Sequence, residues 1–125
     1  HAWKVVREAE TAGPGLFLKT HPKSENVWTD ATFAKDGNSN QTICVFKKKD
    51  FDADPTCFSA TEHGKIVHFE YNKAGDEVWA SVWDRKGALI VYDDKTLKEK
   101  ARIEADWMVT PTGKWNVYNT VHDVY

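Results

Sequence analysis

FEYNKAGDEVWAS, residues 69–81, repeats the plan of LKTHPKSENVWTD, residues 18–30. Each begins with an extended lead-in and passes a turn containing Lys with Pro, Gly or Ser. Each then runs through an acidic or amide residue into Val-Trp, at Val27-Trp28 and Val78-Trp79. VTPTGKWNVYNT, 109–120, carries the pattern a third time, with Val117-Tyr118 at the same place. A second set follows in phase, ICVFKKKDF (43–51) and LIVYDDKTL (89–97), each ending in a charged hairpin turn. A third set, WKVVREAE (3–10) against EKARIEAD (99–106), has the same phase. The unit is therefore a group of short strands recurring at roughly 40 to 50 residues, the period of a β-propeller blade. Apolar residues alternate or run briefly, and Gly or Pro interrupts most windows of helix length, so the chain reads as all-β.

The chain of 125 residues makes fewer than three such units, whereas propellers close with about four to eight blades. Open sheet faces and unpaired strand edges invite aggregation. The expectation is therefore a piece of a larger ring, whose missing blades cover the aromatic and β-branched stretch at 109–125. A first residue of His rather than Met agrees with this.

Composition excludes several classes. A net charge of −2 gives no footprint for nucleic acid or an anionic membrane surface, and no apolar run approaches the roughly 20 residues of a membrane-spanning helix. Six Trp, six Phe and four Tyr suit a large β core or a flat apolar ligand. Cys44 and Cys57 fall opposite each other if 42–48 and 55–60 are hairpin arms. Two small buried apolar side chains are the favoured expectation there, with a disulfide the alternative.

No nucleophile elbow, phosphate loop, His-Glu-x-x-His or paired-Cys zinc spacing is present. Of the five histidines, His21 reads as a turn residue, His63 as solvated, and His1 carries no signal. His122 reads as exposed near the end. His68, inside KIVHFEY (65–71), reads as a satisfied, partly buried histidine. Asp50, Asp52 and Asp54 lack the Gly and distal Glu of a calcium hand and read as a solvated turn. Lys47, Lys48 and Lys49 read as an exposed hairpin tip.

THPKSENVW (20–28), EYNKAGDEVWASVW (70–83), VYDDKTLK (91–98) and TPTGKWNVYNTVHDVY (110–125) together resemble the end of the cytochrome cd1 nitrite reductases. In that family a c-type haem domain precedes an eight-bladed propeller holding haem d1. The resemblance covers nearly the whole chain and implies that residues 1–125 are the last two to three blades. It implies a periplasmic enzyme reducing nitrite to nitric oxide at haem d1, with electrons from haem c. It also implies an electron donor of the cytochrome c or cupredoxin type, a homodimer, and no nucleic-acid or membrane partner. The catalytic and axial histidines of the family precede this segment, so no catalytic or metal-binding residue is assigned. What the resemblance does imply is pocket wall. Phe17 and Trp83 match aromatics packed on the macrocycle, Thr112 and Gly113 match a turn reaching a haem carboxylate, and Trp115 follows on the same approach. His68 stands where the family carries Gln, as a further contact. Loops at 35–41, 52–64 and 84–87 are short for the family. Two other readings compete: a haem d1 biosynthesis protein of dihydro-haem d1 dehydrogenase type, and a non-enzymatic propeller acting as a protein-binding platform.

Overall fold

A computed structural model describes residues 2–108, 115, 117 and 118. Two four-stranded antiparallel sheets account for its regular structure. The first is β1 (Leu18–Lys19), β2 (Asn26–Thr29), β3 (Thr42–Lys47) and β4 (Thr56–Ser59), and the second is β5 (Lys65–Tyr71), β6 (Glu77–Trp83), β7 (Ala88–Asp93) and β8 (Glu99–Glu104). Each is a meander whose spatial order is its chain order. One 3-10 turn, Ser39–Gln41, interrupts the β structure. The blade repeat read from 18–30 and 69–81 thus becomes β1–turn–β2 and β5–turn–β6.

The turns show why such different sequences superpose. In the second sheet the Asn72 side-chain oxygen accepts the N–H groups of Gly75, Asp76 and Glu77 at 3.0, 3.1 and 3.1 Å. Gly75 takes φ +76°, and a Cβ there would lie 2.3 Å from the His21 ring, so only glycine fits. In the first sheet His21 occupies the equivalent position. Its Nδ1 accepts the Lys23 N–H at 3.1 Å and its carbonyl accepts that of Ser24 at 2.9 Å. An imidazole here does the work of a turn amide, as the turn reading anticipated.

The main core lies between the sheets. Trp28 is fully buried, with ring centroids 5.5 Å from Tyr92 and 6.2 Å from Phe69. Ile43 and Val45 from the first sheet meet Ile66, Val78, Ala80, Val82 and Ile90 from the second. Burying each large side chain contributes about 1.5–3 kcal/mol, so the interface is the main source of apolar stabilisation. The sheets also touch at their first strands, β1 and β5. A second, smaller cluster of Val27, Cys44 and Phe46 lies on the opposite face of the first sheet, against Ala12 and Phe51.

Two expectations are corrected. Cys44 and Cys57, paired directly across β3 and β4, form a disulfide, because the opposed register brings their Cα atoms to 4.1 Å. Residues 3–10 form no ladder, although their repeat counterpart does form β8. A strand needs a hydrogen-bonded neighbour, and the described residues offer 3–10 none. The lysine run lies at a hairpin tip as expected, with Lys47 and Lys49 exposed, and two of its amines are engaged: Lys47 Nζ donates to Asn26 Oδ1 at 2.7 Å and Lys48 Nζ to the His21 carbonyl at 2.6 Å.

Candidate functional site

The pairing of β5 with β6 is irregular. Val67 opposes Ser81 and Phe69 opposes Ala80, so His68 is an extra residue in a β-bulge. Its φ is +65°, a left-handed conformation that a residue with a Cβ adopts at a cost of roughly 1–3 kcal/mol. The surroundings hold it there. The His68 ring is buried and stacks on Phe17, with centroids 4.4 Å apart and planes 17° from parallel. On another side Trp115 approaches to 4.9 Å. Nε2 of His68 meets Glu70 Oε1 at 2.9 Å, and Glu70 Oε2 meets Lys19 Nζ at 3.0 Å. Burial by itself would raise the Glu70 carboxyl, but the bonds from His68 and Lys19 outweigh it and hold its pKa below the ordinary value.

The backbone beneath these rings is organised by Asp30, at the end of β2. Its buried carboxylate accepts the N–H groups of Leu16 at 2.7 Å, Phe17 at 3.2 Å and His68 at 3.4 Å. Gly15 permits this, since a Cβ there would come within 2.3 Å of the Asp30 carbonyl. One side chain thus fixes the residues that present two of the three rings.

Of the six site residues expected from sequence, Phe17, His68 and Trp115 come together. Trp83 does not join their ring contacts. It lies at the far end of β6, opposite Lys65 and 39% exposed, on the face of the sheet shared with Trp79 and Ser81. Thr112 and Gly113 lie outside the described residues, as do His1, His122 and most of 109–125. His63, exposed as expected, also pairs with Asp84 Oδ2 through Nδ1 at 2.6 Å. The Arg85 N–H and then His63 hold the Asp84 carboxyl below its ordinary pKa. No cluster of three or more metal-ligating side chains occurs among the described residues, Asp50, Asp52 and Asp54 included. No helix among them is long and apolar enough to cross a membrane.

Sequence reasoning missed Asp30, Glu70 and Lys19. The repeat alignment held the signal for two of them, because it places Lys19 and Glu70 at one position with opposite charge.

Residues 1–120 match the family model described as the cytochrome D1 heme domain. The chain belongs to that family. It is 44% identical to a nitrite reductase of Stutzerimonas stutzeri over the whole chain, which is 25% of that protein's length. It is 37% identical to a dihydro-heme d1 dehydrogenase of Pseudomonas aeruginosa over 95% of the chain and 23% of the relative. Its fold superposes with a TM-score of 0.73 on a solved structure of the dihydro-heme d1 dehydrogenase NirN in complex with DHE, at 32% identity. That match covers 82% of this chain and 21% of the other. The chain therefore spans about a quarter of the length of these relatives, and its two sheets are two blades of a D1 propeller.

Proposed function

We propose that this chain is part of a periplasmic cytochrome cd1-type nitrite reductase and supplies two blades and part of the haem d1 pocket wall. The observation that carries the reading is the 44% identity, over the whole of this chain, to a nitrite reductase. The aromatic cluster beside the first strands of the two sheets supports it independently. Phe17 and Trp115 are half-buried rings against a third, His68, on backbone pinned by Asp30. Such a set fits a flat, largely apolar macrocycle with polar edges. Phe17 and Trp115 would pack on the ring and exclude water. His68, oriented by Glu70, would offer its ring to a peripheral carboxylate. Trp83, Thr112 and Gly113 complete the proposed contacts.

Haem d1, when bound, supplies the iron at which nitrite, one electron and two protons become nitric oxide and water. The chain's own residues hold and orient; the acid catalysts and the axial ligand belong to other parts of the polypeptide, as does a haem c domain. Nitrite, an electron donor of cytochrome c or cupredoxin type, the rest of an eight-bladed propeller and a second copy of the protein are the proposed partners. The Cys44–Cys57 disulfide supports an oxidising compartment such as the periplasm.

A second reading has a specific observation behind it, the likeness to dihydro-heme d1 dehydrogenase in sequence and in fold. The full-length polypeptide, purified with its pigment and reduced, separates the two. Nitric oxide release from nitrite is the expected result. Oxidation of a dihydro-haem d1 substrate without nitrite turnover would establish the biosynthetic reading. A colourless protein that takes up no haem d1 would leave the protein-binding platform.

A further inference from the structure

Trp28 faces the second sheet and donates its indole N–H to Asp94 Oδ1, 2.9 Å away in the turn between β7 and β8. Trp79 holds the same place one blade on. Trp28 is paired with Lys19 and Val45, and Trp79 with Glu70 and Val91. Val78 and Ala80 point into the core between the sheets, so strand alternation turns Trp79 and Ser81 to the other face. There they join Leu89, Val91 and Ile103 across the ladder. Ile103 is 43% exposed, and Trp83 on the same face 39%. Trp79 Nε1 and Ser81 Oγ are both shut off from solvent and neither has a hydrogen-bond partner. Buried donors in native proteins are nearly always satisfied.

We propose that this face docks the next blade of the propeller, and that a carboxylate in that blade's third turn accepts the Trp79 indole N–H as Asp94 accepts that of Trp28. The occupant follows from the internal repeat, which supplies donor, register and acceptor in the one complete case. About three quarters of the length of the relatives lies outside the matched region, which is ample for further blades. The proposal rests on the propeller reading but not on haem binding.

The test compares Trp28→Phe and Trp79→Phe in the full-length polypeptide, with unfolding and pigment content measured separately. Each change keeps a ring and removes the N–H. Both should raise the unfolding equilibrium constant by about tenfold or more, as loss of a bond to a charged group does. An unchanged or more stable Trp79→Phe protein would overturn the proposal, because deleting an unpaired buried donor costs nothing. So would a Trp79→Phe protein that loses the parent's self-association, which would assign the face to a second copy. Should the variant not fold, the indole proton shift of Trp79 in the unsubstituted protein decides. A downfield shift matching that of Trp28 supports an acceptor, and the position of a non-bonded indole rules it out. Pigment loss with unaltered unfolding would bear on the haem reading alone.

Discussion

Asp94 and Asp30 are both buried carboxylates, yet they are satisfied in opposite ways. Asp94 gathers side chains: Ser24 Oγ at 2.6 Å, Tyr71 Oη at 2.8 Å and Trp28 Nε1 at 2.9 Å, with Asn26 Nδ2 bound to its carbonyl. Those donors come from both sheets, so Asp94 locks one blade to the next. Burial, followed by the adjacent Asp94 charge, pushes the Tyr71 hydroxyl far above its ordinary pKa and keeps it a donor. Asp30 instead gathers backbone N–H groups from the segment before β1 and from the bulge of β5. A carboxylate bonded to side chains fixes how elements sit together. One bonded to backbone fixes what the neighbouring side chains present, here Phe17 and His68. The first is architecture, and the second joins architecture to the site.

Asp94→Ala should give the largest effect. Three side-chain donors lose a charged acceptor inside the interface, for a loss of about 3 kcal/mol or more in denaturant unfolding. Haem content per folded molecule should not change. Replacing both Cys44 and Cys57 by Ala cuts a tie within one sheet. A closed loop of this size is worth about 2–3 kcal/mol, with separation 13 here. Were that loss larger than the one at Asp94, the interior of the blade and not the junction would limit stability. Asp30→Asn should cost about 1–3 kcal/mol, since an amide NH2 then confronts backbone donors, and should weaken haem d1 binding at least tenfold in a pigment titration. Unaltered pigment affinity in a destabilised Asp30→Asn protein would make the two aspartates equivalent and collapse the distinction.

The sequence carried the fold further than the site because the two depend on different ranges of the chain. Strand, turn and Val-Trp repeats are local, and alternation within them already sends Trp28 to one face and Val27 to the other. The register that opposes Cys44 and Cys57 was legible too, but whether they bridge depends on the Cα separation that sheet twist sets, which spacing does not give. The site is assembled across 14 and 38 residues of separation, from Leu16 to Asp30 to His68. No periodicity announces a bulge in KIVHFEY or a left-handed histidine within it. Phe17, His68 and Trp115 were named through family resemblance, as was Trp83, which the register of β6 sets at the far end of that strand.

The smallest effect concerns the two turns, where His21 and Asn72 do equivalent work. Burial, then Lys23 and Lys48, hold the His21 imidazole below its ordinary 6.5 against the opposing pull of Asp94. The bond from the Lys23 N–H to Nδ1 requires that nitrogen to be unprotonated. The folded state therefore resists a proton that the unfolded chain accepts. Stability should fall as pH drops through 6.5 and level off once the folded imidazole also titrates. His21→Asn places a side-chain carbonyl where Asn72 already uses one, so its melting temperature at neutral pH should change little. The His21 contribution to the slope between about pH 5 and 7 should disappear. A slope as steep in the variant as in the parent would show that His21 is not the titrating group, and that the two turns are alike in shape but not in chemistry.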